Sequence, residues 1–130
     1  MLFRSAEADT LEVLREKAPR DFVFHVHSFT GTLEFAQTVL EEWPNCMIGF
    51  TGIITFKNAA DLRRVVEAVP IERMLSETDG PFLAPVPYRG KTAHSGYIPV
   101  IIQKIAEIKG LPVETVAATL RENARRFYGF

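Results

Sequence analysis

Apolar positions along this chain alternate between two periods. Phe22 to His27 and Cys46 to Ile54 form short runs too apolar and too rich in β-branched and aromatic residues for loops, and the second fits a strand covered on both faces. Between them Leu33, Ala36, Leu40 and Trp43 recur at spacings of three and four, one buried stripe of a helix opened by Thr32 and closed by Pro44-Asn45. A further helix, with Leu62, Val65, Val66 and Val69 in its stripe, is expected to start at an Asn58 cap and stop at Pro70. Met74 to Glu77 reads as the next strand. Upstream, Asp9-Thr10 caps a helix that runs to about Lys17 and ends at Pro19, with a strand stub at Met1-Leu2-Phe3 ahead of it. After the proline-rich stretch Pro81 to Pro87 the pattern is helical. Ile98, Ile101, Ile102, Ile105 and Ile108 make one stripe, Gly110 stops it, and Pro112 opens a last helix reaching Phe127.

Strands and helices alternating at this spacing imply crossover connections, which set the strands parallel and gather their carboxyl ends on one side. His27, the Thr51-Gly52 turn and Asp79 are therefore expected to converge. Three strong strands are too few to close a parallel barrel, which takes about eight. Residues 1–130 thus read as a single α/β domain, the C-terminal half of a TIM-type (β/α)8 barrel with parallel strands and outer helices. Such a half leaves two strand edges unpaired and an inner face expected to carry Phe24, Ile48 and Phe50, an arrangement that favours a homo-oligomer.

Composition narrows the classes. At 130 residues and 47% hydrophobic, the chain can bury one ordinary core. A formal net charge of -1 gives no overall attraction to nucleic acid or anionic membrane, so such a contact needs a local cluster. Cys46 is the single cysteine, which excludes an internal disulfide and fits a reducing, cytoplasmic setting. At a strand start it is expected to be buried and inert. No apolar run reaches the roughly 18 residues of a membrane helix.

The chemistry concentrates where strands end. Asp79 follows the Met74 to Glu77 strand and precedes Gly80-Pro81, which stops both helix and sheet, so it stands at the strand end that faces ligands in α/β proteins. His27 stands at the corresponding end of the first strand, before Ser28-Phe29-Thr30-Gly31. An imidazole and a carboxylate on neighbouring strand ends suit a divalent metal, whose bound water becomes acidic enough for a nearby carboxylate to deprotonate. Read alone, His27 is either such a ligand or a hydrogen-bonded core histidine, and Asp79 either a ligand or a turn carboxylate. His25, two residues back, shares the strand face of His27. Glu77 shares that of Asp79 and is expected to pair with a basic neighbour such as Arg4. Tyr88-Arg89-Gly90-Lys91 combines a ring with two cations, either a place to hold a phosphate and stack a base or a solvated loop. Arg125-Arg126 reads as a solvated helix face.

Several segments together resemble the TatD family of metal-dependent deoxyribonucleases, barrels related to the amidohydrolases. They are His27-Ser28-Phe29-Thr30-Gly31, Gly49 to Ala59, Glu77-Thr78-Asp79-Gly80-Pro81 continuing to Lys91, and Glu122-Asn123-Ala124-Arg125-Arg126-Phe127, with Arg4 and Asp9-Thr10-Leu11 upstream. The resemblance implies hydrolysis of DNA phosphodiesters with divalent metal ions, Mg, Mn or Zn. It implies His27 as a metal ligand, Asp79 as a metal ligand that also activates the attacking water, and Tyr88, Arg89 and Lys91 near the substrate. It further implies that an N-terminal His-x-His pair and a bridging glutamate lie on strands preceding this chain, and that a further family histidine falls on Leu2. Gly90-Lys91-Thr92-Ala93-His94-Ser95 departs from the family's Gly-Lys-Arg-Asn-Glu-Pro. The alternative to a nuclease fragment is a catalytically inactive half barrel serving as an oligomerisation or binding module.

Overall fold

A computed structural model describes residues 2–130, with side chains from residue 6 onward. Three parallel strands, β1 (Phe24–Val26), β2 (Cys46–Phe50) and β3 (Met74–Ser76), lie side by side in that order. Phe24 pairs with Cys46, and on the other side of β2 Ile48 pairs with Met74 and Phe50 with Ser76. Helix α1 (Leu2–Lys17) leads into the sheet, α2 (Leu33–Glu42) and α3 (Ala60–Ala68) cross over between strands, and α4 (Ile98–Lys109) and α5 (Val113–Tyr128) follow it.

The expected stripes are the ones that pack. Val39, Val65, Val66, Ile101, Ile105, Val116 and Leu120 are buried against Cys46, Ile48, Phe50 and Met74 of the sheet. Thr32 caps α2 as its sequence position suggests, its Oγ1 accepting from the Phe35 amide at 3.2 Å. Glu7 of α1 strengthens that cap, accepting from the Thr32 amide at 2.7 Å and the Thr32 hydroxyl at 2.8 Å, and so fastens the first helix to the start of the second. Gly110 ends α4 at φ 65°, ψ 34°, the left-handed geometry that costs glycine least. Arg73, just before β3, donates to the carbonyls of Cys46 at 2.8 Å, Trp43 at 2.8 Å and Leu40 at 3.3 Å, locking the α2–β2 corner to the sheet.

Four expectations need correction. Leu2 and Phe3 are helical rather than a strand stub, Met1 lying outside the described residues. Asp9 and Thr10 are therefore inside α1, where Thr10 Oγ1 donates to the Ala6 carbonyl at 2.6 Å instead of capping. Asn58 does not cap α3. A turn closed by the Ala59 amide on the Phe56 carbonyl at 3.2 Å moves the helix start onward, and Ala59 holds the cap position with no side-chain bond. Phe24, Ile48 and Phe50 do not line an open face either. They project toward the helices, Ile48 and Phe50 being fully buried there, and the two-residue alternation leaves His25, Met47, Gly49 and Leu75 on the opposite face.

That opposite face is partly covered from an unexpected direction. The last turn of α5 brings the Phe127 ring 5.6 Å and the Tyr128 ring 6.4 Å from His25, both edge-on. Asn123, buried in α5, donates to the carbonyls of Ile71 at 2.7 Å and Met74 at 2.9 Å, which fixes the helix against the start of β3. Arg126 is likewise tied down rather than simply solvated, donating to the Glu72 carbonyl at 3.1 Å. Among the described residues no helix is long and apolar enough to cross a membrane.

Candidate metal centre at the strand ends

The chemistry-bearing side chains meet on the face turned away from α2 and α3. The parallel pairing continues past β1 and β3, the Phe29 amide donating to the Gly49 carbonyl at 2.9 Å and the Glu77 amide to the Phe50 carbonyl at 3.0 Å, so His27 and Glu77 are placed by the sheet itself. Glu77 crosses β2 to reach β1. Its Oε2 lies 3.0 Å from His27 Nδ1 and 3.2 Å from His25 Nε2, and its other oxygen accepts from the Ser28 amide. Ser28 turns that amide inward at φ 47°, a left-handed conformation costly for a residue with a Cβ and compensated here by a charged acceptor.

Gly49 makes the crossing possible. A Cβ built at that position would stand 2.1 Å from Glu77 Oε1, inside the carboxylate. Glycine in the middle of a strand contributes no packing, and here it leaves a cradle on the sheet surface.

His27 stands between two carboxylates. Its Nδ1 faces Glu77 and its Nε2 lies 3.6 Å from Asp79 Oδ1. Side-chain exposure is 53% for His27, 43% for Asp79 and 15% for Glu77, so the pair His27–Asp79 opens to solvent while Glu77 is recessed beneath it. The hydrogen bond that His27 donates to Glu77, aided by the charge of Glu77 and by Asp79 against some loss of hydration, raises the His27 pKa above the ordinary imidazole value. A separation of 3.6 Å is long for a hydrogen bond and matches two donors each about 2.1 Å from one cation. The residues present therefore fit a divalent ion, with Glu77 fixing the ring through its far nitrogen.

The structure brings His27 and Asp79 together as their strand positions suggest. Asp79 lies beyond the end of β3, in a turn closed by the Phe82 amide on the Asp79 carbonyl at 2.8 Å. Gly80 then passes close to the next loop, a Cβ there falling 2.9 Å from the Ala93 carbonyl. Glu77 departs from its expected ion pair with a basic residue. Arg4's side chain lies outside the described residues, and the partners found are two imidazoles and an amide.

The three loop residues separate. Arg89 and Lys91 line one cleft of ≈ 360 Å³ with Phe82, Leu83 and Thr92, and the Arg89 guanidinium lies 4.1 Å above the Phe56 ring. Tyr88 faces another hollow beside Val100 and Lys104, and stacks on Tyr97 at 4.7 Å, which stacks on His94 at 4.2 Å. Cys46 is buried as expected, and burial pushes its thiol up to about 12.

Residues 3–129 match the family model described as TatD related DNase. The chain is 40% identical over 125 residues to the uncharacterized metal-dependent hydrolase YcfH of Escherichia coli strain K12, covering 96% of this chain and 46% of the relative. It is 35% identical over 128 residues to the 3'-5' RNA nuclease TATDN2 of Homo sapiens, covering 96% of this chain and 17% of that protein. The crystal structure of YjjV, a TatD homolog from Escherichia coli K12, superposes with a TM-score of 0.76 at 25% identity, over 88% of this chain and 43% of that one. The chain thus spans under half the length of these relatives.

Proposed function

Because the chain belongs to the TatD related DNase family, with the α/β fold of its barrels, we propose that it is the C-terminal portion of a metal-dependent deoxyribonuclease and carries two of that enzyme's working residues, His27 and Asp79. The observation that carries this reading is the 3.6 Å separation of His27 Nε2 and Asp79 Oδ1 at the strand ends.

His27 and Asp79 would hold a divalent ion, which when bound supplies an acidified water and offsets charge on a phosphodiester. Asp79, the more exposed of the two carboxylates, accepts the proton of the attacking water. Glu77 keeps the His27 ring oriented. Arg89 and Lys91 offer cations to flanking phosphates, and Tyr88 extends its stacked column toward a base. Two donors are fewer than a catalytic ion is held by, and the others come from the strands that complete the barrel. In this reading residues 1–130 are one domain of a cytoplasmic hydrolase acting on DNA.

The test is cleavage of labelled single-stranded DNA and RNA by the chain joined to its completing strands, with Mg²⁺, Mn²⁺ and Zn²⁺ in turn. Cleavage of DNA that falls at least about a hundredfold in Asp79→Asn supports the reading. Preference for RNA, or cleavage indifferent to Asp79, overturns it.

A second reading rests on the sheet edges. Among the described residues β1 and β3 each pair on one side only, and Phe22, Tyr128 and Phe130 are exposed. Association of this chain with a second copy would cover those edges. Light scattering at micromolar concentration decides it, a monomer ruling it out.

A further inference from the structure

Phe82 stands three residues past Asp79, in the turn that its own amide closes on the Asp79 carbonyl at 2.8 Å, and it is 68% exposed. Among the described large apolar side chains only Phe130 is more exposed. We propose that the Phe82 ring is a stacking platform for an unpaired base beside the phosphodiester being cut, and that it sets a preference for single-stranded over duplex DNA. The inference rests on the nuclease reading and goes beyond it, giving a role to a residue outside the set named above and a form to the substrate.

One exposed ring is ordinary on a protein surface. Phe82 differs in how firmly its neighbours are held. Before it, the Ala93 amide donates to the Pro81 carbonyl at 2.9 Å. After it, Leu83 takes φ 60°, a left-handed conformation that costs a residue with a Cβ and persists only where the surroundings fix it. The surroundings are the end of β2. Gly52 lets the loop backbone rest there, since a Cβ at that position would collide with the Leu83 carbonyl oxygen and stand 2.9 Å from the Pro85 nitrogen. Further on, Thr55 Oγ1 accepts from the Val86 amide at 2.9 Å. Ala84 and Pro85 are buried by this seating while the Phe82 ring is left in solvent. A platform fixed in this way loses little entropy when a base settles on it.

The chemistry around the ring selects the partner. Phe82 lines the cleft of ≈ 360 Å³ that also holds Arg89 and Lys91. The Arg89 guanidinium rests on the buried Phe56 ring at 4.1 Å, and neither cation forms an ion pair among the described residues. An aromatic face beside two cations matches the two halves of a nucleotide, a flat base and a charged backbone. Inside a duplex both faces of a base are already stacked on neighbours, so a ring can reach one only after unpairing it. Phe82 therefore serves single strands and frayed ends.

The test is binding in EDTA, which requires neither metal nor cleavage, by the same protein that is assayed for nuclease activity. The probes are a thymidine oligonucleotide of about ten nucleotides and a blunt duplex of that length. Phe82→Trp should hold the single strand within about threefold of the wild type, and its new indole should be quenched on binding, Trp43 being buried and silent. Phe82→Ala should weaken single-strand binding at least about tenfold and duplex binding less than about threefold. An indole that the bound single strand leaves unquenched overturns the proposal. So does an alanine variant that loses both probes equally or neither, or a wild type that does not bind the single strand. The indole signal decides the matter even where the alanine variant fails to fold. Cleavage indifferent to Asp79 would instead strike the nuclease reading, whereas loss of the stacking signal with Asp79-dependent cleavage intact strikes the platform alone.

Discussion

The carboxylate of Glu77 occupies the space a side chain on Gly49 would take, Oε1 falling 2.1 Å from a Cβ built there. The atom displaced by a larger residue is the end of a flexible side chain, not backbone, so the sheet can survive the intrusion while Glu77 cannot stay.

Gly49→Ala is therefore expected to separate chemistry from stability. Alanine's lower backbone entropy in the unfolded chain offsets part of the crowding, and urea unfolding should change by no more than about 1 kcal/mol. The His27 ring should meanwhile lose its Glu77 partner, its pKa returning toward the ordinary imidazole value in an NMR titration. A variant that unfolds outright, or one whose His27 titrates unchanged, contradicts the cradle.

His27 also makes metal-free stability depend on pH. Its folded-state pKa is raised, by Glu77 first. The stabilisation is thus fully present below the unfolded imidazole pKa of about 6.5 and disappears as pH rises through the higher folded value. Because the ring is half exposed, solvent screens the effect and the gain is modest. Urea midpoints measured from about pH 5.5 to pH 8.5 should show a component that declines with pH in the wild type and shrinks in Glu77→Gln, the Asp79 contribution remaining. Metal binding should run the opposite way, strengthening as the proton leaves.

Asn123 tests the anchoring of α5. It is buried and donates to two carbonyls at the start of β3. Asn123→Leu removes both donated bonds, the Ile71 carbonyl keeping the Met74 amide, and is expected to cost about 2 to 3 kcal/mol. Asn123→Asp should cost more, since a carboxylate faces two carbonyl oxygens with nothing to donate. Equilibrium unfolding ranks the two, and the reverse order would show that packing volume rather than hydrogen bonding holds the helix.

Cys46 should behave as a core atom. Burial raises its thiol pKa to about 12, so a disulfide reagent at pH 8 should label the folded chain at least about a hundredfold more slowly than the chain in urea. Equal rates would place Cys46 at the surface.

Much of the scaffold was legible because it depends on short-range pattern. The apolar runs around Val26, Ile48 and Met74, the stripes of α2 to α5, the Thr32 cap and the Gly110 stop all follow from residue type and spacing. Asn58 failed as a cap because a tertiary turn through Phe56 and Ala59 set the helix start, and its replacement by alanine is now expected to matter little. The site was half legible. His27 and Asp79 mark their strand ends, but the assignment of Glu77 to a basic partner missed His25 and His27. That contact spans 52 residues to His25 and depends on the side chain that Gly49 lacks. The roles of Arg73, Asn123 and Phe127 were hidden for the same reason: each reaches a partner distant in sequence, and no local periodicity encodes the meeting.

The alternation of β2 ties two kinds of failure together. Ile48 and Phe50 seal the core while Gly49, between them, leaves room for Glu77. A slip of one residue in the pairing of this strand would drive a phenylalanine or isoleucine under the carboxylate and turn the empty position toward the helices. A misregistered molecule could then be neither well packed nor chemically competent. The same three consecutive residues act as a proofreading device, so that chains with the cradle intact are also chains that have folded correctly.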